Sequence, residues 1–201
     1  MPNIVRRRRK SIRLNRWDYR TPAAYFVTIC THDRVPLFGR VVDGEMVLNA
    51  FEEIVQGCWR EIPEHFPHVE LDAFVVMPNH VHGIISIVDD VGATHASPLP
   101  NGNAPRGPVP GSLGAIVGSF KSAVTKRINA LRGTPGAPVG QRNYYEHIIR
   151  HERALDAIRR YIAANPLRWH LDRYNPDAVG PDPWAREIWG TMQDSPNNEV
   201  R

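Results

Sequence analysis

The spacing of apolar positions changes several times along the chain, and each change marks an element. Residues 24–31 read Ala-Tyr-Phe-Val-Thr-Ile-Cys-Thr, dominated by β-branched and aromatic side chains. This run predicts a strand, ended by His32-Asp33-Arg34. Residues 41–48 predict a second strand, and Asp43-Gly44 inside it is a hairpin-turn signal that divides it into two short ones. The period then lengthens. Phe51, Ile54, Val55, Cys58 and Trp59 follow helical spacing behind Asn49, a good N-cap with Glu52 three residues on, and Pro63 is expected to stop that helix. Residues 69–77 and 80–88 predict two more strands. The Met77-Pro78-Asn79 link between them is short enough only for an antiparallel pair.

Residues 89–111 break the pattern. They hold Pro98, Pro100, Pro105, Pro108 and Pro110 among Gly, Asn, Ala and Ser, and predict a flexible loop. Ser112 then opens a long helix in which Leu113, Ile116, Val117, Phe120, Val124, Ile128 and Leu131 form the apolar stripe. Lys121, Lys126, Arg127 and Arg132 lie off the stripe, and Gly133-Thr134-Pro135-Gly136 ends the helix. The first part of 141–150 suits a short edge strand. Residues 151–165 predict a last helix with Leu155, Ile158 and Ile162 as its buried line, closed by Asn165-Pro166. The order implies an α+β fold, an antiparallel β-sheet with helices packed on it. Its expected organisation is a basic arm over 1–20, one domain over 21–170 with the Pro-rich loop inside it, and a partly disordered tail over 171–201. Trp169, Trp184 and Trp189 are available to pin parts of that tail to the body.

Composition adds bounds. A chain of 201 residues, 42% hydrophobic, suits one domain with its own core. No apolar run reaches the roughly 18 residues of a membrane span, and the basic N-terminus lacks the apolar core of a signal peptide. The expectation is a cytoplasmic protein without a membrane partner, and Cys30 and Cys58 read as buried free thiols. Net charge is +4, but Arg6, Arg7, Arg8, Arg9, Lys10, Arg13, Arg16 and Arg20 crowd one short stretch against Asp18 alone. Such an arm suits nucleic acid.

The chemistry starts at His80-Val81-His82. Alternate strand residues share a face, so the two imidazoles point the same way and can chelate one ion. Alone, the pair is more often structural. The last helix changes the weighing: Tyr161 and Asn165, four apart, are neighbours on one helical face at the flank of the buried line. A phenol, a carboxamide and two imidazoles could then surround one ion.

These segments also carry a family resemblance. Met77-Pro78-Asn79-His80-Val81-His82-Gly83 resembles the His-hydrophobic-His (HUH) motif of the IS200-like single-tyrosine transposases. Tyr161-Ile162-Ala163-Ala164-Asn165-Pro166 resembles the tyrosine helix of their REP-associated branch. The run 24–28 resembles the family's first strand, and Tyr144-Tyr145-Glu146-His147-Ile148-Ile149-Arg150 the segment before the tyrosine helix. The resemblance covers roughly residues 20–170.

It implies a ferredoxin-like, RRM-like core and a metal-dependent DNA endonuclease and strand transferase acting on single-stranded hairpin or palindromic DNA. Tyr161 would be the nucleophile and form a 5′-phosphotyrosine. His80 and His82, with Asn165 by position, would hold a divalent metal, Mg²⁺ or Mn²⁺, with Zn²⁺ also open. Tyr144 and Tyr145 are better suited to packing or base stacking. DNA contacts would come from Arg6, Arg7, Arg8, Arg9, Lys10, Arg13, Lys121, Lys126, Arg127 and Arg142, and the protein would be nucleoid-associated, a monomer or a homodimer. One departure stands out: Gly140 precedes Gln141 where the family usually has Trp. A domesticated, non-cleaving DNA-binding protein on the same scaffold is the alternative. An RNA-binding module and a small metallohydrolase rank lower, the first for lack of an aromatic sheet motif and the second because it leaves Tyr161 without a role.

Overall fold

The computed structural model describes residues 17–89 and 107–193. Arg6, Arg7, Arg8, Arg9, Lys10 and Arg13 of the basic arm, most of the Pro-rich stretch, and residues 194–201 lie outside the described residues. The strands are β1 (Ala23–Cys30), β2 (Gly39–Val42), β3 (Glu45–Leu48), β4 (Val69–Met77), β5 (His80–Ile87) and β6 (Tyr145–Ile149). The helices are α1 (Ala50–Arg60), α2 (Ile62–His65), α3 (Leu113–Arg132), α4 (Glu152–Ala164) and α5 (Pro183–Gln193).

Four strands form one antiparallel sheet in the order β4-β5-β1-β6, while β2 and β3 pair as a separate hairpin across Asp43-Gly44. Without that hairpin and the single turn of α2, the chain runs β1-α1-β4-β5-α3-β6. This is the split βαββαβ arrangement of ferredoxin-like folds, with β1 and β5 at the centre.

Local chemistry sets the ends. The Asn49 carboxamide accepts from the backbone N–H groups of Phe51 and Glu52, and the Ser112 hydroxyl accepts from that of Ala115. Gly133 closes α3 in the left-handed region at φ 66°. Pro63, expected as a stop, sits in the first turn of α2, where its missing N–H deprives no helical carbonyl. The edge strand falls in the second half of 141–150 rather than the first. The Gln141 N–H bonds to the Cys30 carbonyl at the end of β1, beside a single bridge between Thr31 and Gly140, and the Lys121 ammonium then takes the carbonyls of Gln141 (2.5 Å) and Arg142 (2.9 Å), so the ladder does not run on until Tyr145.

Strand alternation separates two cores. Tyr25, Val27, Ile29, Val81 and Ile85 face α1 and α3, meeting Val55, Trp59, Ile116, Val117 and Phe120. Gly83 belongs to this face. Trp59 and Phe74 stack over it at 4.3 Å between ring centroids, and a Cβ there would run into the indole. Phe26 and Ile84 point the other way, toward Ala157, Ile158, Tyr161 and Ile162 of α4 and Ile188 of α5. The segment expected as a tail thus continues the domain through α5, because Ile188 is buried and Trp189 packs edge-on against Phe26 and Tyr145. An ion pair also ties α4 to the sheet. Asp72, at the register shift of β4, accepts from Arg159 Nε at 3.0 and 3.1 Å and from Nη2 at 2.7 Å. Among the described residues, no helix is long and apolar enough to cross a membrane.

Candidate active site

His80 and His82 lie on the α4–α5 side of the sheet, opposite Cys30 and Thr28 of β1, and both are fully buried. Each uses its Nδ1 outward. The Thr28 hydroxyl lies 2.9 Å from His82 Nδ1. His80 Nδ1 lies 2.9 Å from Asn79 Oδ1, and Asn79 Nδ2 donates to the backbone carbonyls of Arg34 (3.1 Å) and Tyr174 (2.8 Å). Both of those partners are acceptors, which fixes the Asn79 amide with its oxygen toward His80. His80 Nδ1 must therefore carry the proton, and its Nε2 presents a bare lone pair. That lone pair faces His82 Nε2 at 3.1 Å. Two donors about 2.1 Å from one ion and at right angles would stand about 3.0 Å apart.

The last helix brings its residues to the same point, as the i, i+4 spacing requires. The Tyr161 hydroxyl lies 3.5 Å from His82 Nε2. Asn165 caps α4 and is buried; its Nδ2 donates to Asp172 Oδ2 at 3.3 Å, while its Oδ1 is buried without a hydrogen-bond partner. An orphaned carbonyl-type oxygen beside two convergent imidazole nitrogens fits a divalent cation, and this donor set of nitrogen and oxygen suits one.

Two residues of the site were not singled out in the sequence. Asp172 Oδ2 stands 3.9 Å from His80 Nε2, and His80, His82 and Asp172 together form a group able to hold a metal ion. Tyr174 lays its ring 4.6 Å from that of His80, and its carbonyl is one of the two that hold Asn79. Both follow the helix-ending Asn165-Pro166, in a stretch with no period to read. The seven-residue offset of Asp172 from Asn165 offers no signal.

Burial dominates the electrostatics. It lowers the basicity of His80 well below the usual imidazole range, with His82 adding to the effect, and it brings His82 to about 3. Burial also pushes the Tyr161 phenol well up, with the Asp172 carboxylate adding to it, while Asn165 and Arg173 pull it back. Both imidazoles are therefore neutral and Tyr161 is a phenol at neutral pH.

The other candidate residues fall elsewhere. Lys121, Lys126 and Arg127 sit on α3, against the opposite face of the sheet from the histidines. Lys121 is occupied by the two carbonyls already described, and Arg127 pairs with Glu61 at 2.5 Å. Arg142 lies in the segment held by Lys121. Tyr145 packs its ring against Phe26 and Trp189.

A Haemophilus influenzae protein described as uncharacterized is 41% identical to this chain over 167 residues, 82% of the chain and 92% of the relative. The chain belongs to the same family as that Haemophilus protein. No family model matches. The solved structure of a REP-associated tyrosine transposase bound to a REP hairpin superposes with a TM-score of 0.50 at 19% identity, covering 79% of this chain and 74% of that one. At that identity the family member and the transposase share a fold: a four-stranded antiparallel sheet with helices packed on it.

Proposed function

We propose that the protein is a transposase-like enzyme that cleaves and rejoins single-stranded DNA through Tyr161. One observation carries the reading: the Tyr161 hydroxyl stands 3.5 Å from His82 Nε2, which faces His80 Nε2 at 3.1 Å, and the same helix end carries the unpartnered Asn165 Oδ1.

A divalent cation held by His80, His82 and Asn165, with Asp172 available, would stabilise the charge that develops on the phosphoryl oxygens. The chain's own residues do the rest. Asn79 and Thr28 hold the imidazoles in the ligating orientation. The α4 helix, tied down through Arg159 and Asp72, presents the Tyr161 hydroxyl. Phe26, Trp184 and Trp189 surround its ring and limit the approach of water. In the step itself the Tyr161 oxygen bonds to phosphorus as the bond to the 3′ oxygen breaks. The phenol loses a proton and the leaving oxygen gains one, giving a 5′-phosphotyrosine and a free 3′-OH. One phosphodiester replaces another, so no nucleotide hydrolysis is needed. A phenolate, with a conjugate pKa near ~10, leaves readily enough for the reverse, rejoining step.

The test is to incubate the protein with Mn²⁺ and 3′-labelled single-stranded hairpin DNA and look for a labelled adduct that survives SDS. Tyr161→Phe should abolish it and His80→Ala should nearly do so. An adduct that persists in Tyr161→Phe moves the nucleophile elsewhere. Binding without any adduct, across a library of hairpins, supports the non-cleaving reading instead.

A further inference from the structure

The cleft beside Tyr161 is built largely by the chain after α4, and it carries cations that the chemistry above leaves unused. Its lining includes Tyr161, Asn165, Arg168, Arg173, Arg186 and Trp189. Arg168 is engaged: its Nε donates to Asp182 Oδ2 at 2.8 Å, and its guanidinium lies 5.1 Å from the Trp184 ring centre. Arg173 and Arg186 are exposed, and neither has an ion-pair partner among the described residues. Arg173 is nevertheless held in place, its guanidinium 5.2 Å from the centre of the Tyr174 ring that packs on His80. A guanidinium keeps its charge at any relevant pH and offers paired N–H donors that match phosphate oxygens.

We propose that Arg173 and Arg186 bind backbone phosphates of a single DNA strand, next to the phosphodiester presented to Tyr161. The inference rests on the proposed function and adds the strand's path: across the face made by α4 and α5, not along α3. Two exposed guanidinium groups on the rim of a cleft lined by a buried nucleophile suit a polyanion that must be led to one point. The Arg173 charge also opposes the burial that makes Tyr161, Tyr174 and Asp172 harder to deprotonate. Lys126 and Arg127 are on the far side of the sheet and cannot contact the same phosphate.

The experiment uses the full chain carrying Tyr161→Phe, so that binding is read without chemistry, and a fluorescein-labelled single-stranded DNA hairpin with unpaired flanks. Affinity is measured by anisotropy over a range of salt concentrations. Arg173→Gln and Arg186→Gln should each weaken binding and flatten the dependence of log K on log salt by about 0.7, and together by about 1.4. Arg173→Lys and Arg186→Lys should keep most of the slope, separating lost charge from lost packing. If Arg173→Gln fails to fold, Arg186→Gln alone still reads one phosphate. A double glutamine variant with an unchanged slope overturns the proposal. So does a flattened slope in Lys126→Gln/Arg127→Gln with the cleft variants silent, which would move the strand to the other face. The covalent-adduct assay separates the two levels. No adduct with the expected slopes overturns the nuclease and leaves the cleft as a binding site. An adduct with unchanged slopes does the reverse.

Discussion

His80 donates its Nδ1 proton to Asn79 Oδ1, and that one hydrogen bond leaves its Nε2 free to ligate. Asn79 can do this because its amide nitrogen is committed to the carbonyls of Arg34 and Tyr174. The neighbour of the first histidine is therefore an orienting group, and its carbonyl also receives the N–H and hydroxyl of Thr31.

Asn79→Ala should weaken Mn²⁺ binding by about 10–100-fold, the usual effect of losing an outer partner of a ligating imidazole. Asn79→Asp keeps the acceptor and should recover much of that loss. Titration calorimetry with Mn²⁺ checks both, and equal affinity in Asn79→Ala and wild type would show that the tautomer is set by something else.

Gly83 should not tolerate a side chain. Its Cβ would enter the Trp59 indole and stand 3.1 Å from Phe74 Cδ2. Gly83→Ala should cost about 1–3 kcal/mol of stability, as overpacked cores do. Urea unfolding followed by tryptophan fluorescence measures it; a shift smaller than the error of the fit would mean that the Trp59–Phe74 stack slides aside freely.

The Asp72–Arg159 pair should make stability fall in acid. Arg159 holds the Asp72 carboxyl below its usual range. A group whose acidity is strengthened on folding stabilises the folded state above its unfolded pKa, near ~3.9, and loses that contribution as pH falls through the lower folded value. Both side chains are partly exposed, so solvent and salt reduce the effect. The wild type should thus exceed Asp72→Asn in urea midpoint at neutral pH, with the gap closing as pH drops below ~4. A gap constant with pH would assign the difference to packing.

Gly140→Trp should raise the thermal midpoint. Gly140 borders an apolar pocket lined by Ile29, Phe38, Val55, Val81, Phe120 and Val139. A Cβ there meets only ordinary contacts, the Cys30 carbonyl at 3.5 Å and Lys121 Cε at 3.7 Å. Indole burial in that space would add contacts to the strand end that Gly140 bridges at Thr31. A lower or unchanged midpoint in a thermal scan would count against a packing role for this position.

Much of this was legible in the sequence because period and chemistry coincided. His-Val-His declared a shared strand face, Tyr161 and Asn165 a shared helical one, and the cap residues Asn49 and Ser112 stood at their expected places. What brings the two halves together, 79 positions apart, is the docking of α4 on the sheet, and periodicity is silent about docking. Asp172 and Tyr174 were not legible for a related reason. They are placed by turns and by bonds to Asn165 and Asn79 rather than by a repeating element. The α3 cations had the opposite fate: their helical face was readable, but the side of the sheet it would cover was not.

The two-sidedness of β5 has a consequence for how this protein can change. Odd positions Val81, Ile85 and Ile87 belong to the main core, even positions His80 and His82 to the candidate site. Inserting or deleting one residue within the strand would swap these assignments, driving imidazoles against α1 and α3 and aliphatic side chains toward Tyr161. Substitutions can tune stability and chemistry separately, at neighbouring positions and without interference. A change in length cannot. Within these eight residues the chain behaves like a two-letter frame, in which a single slip erases both messages at once.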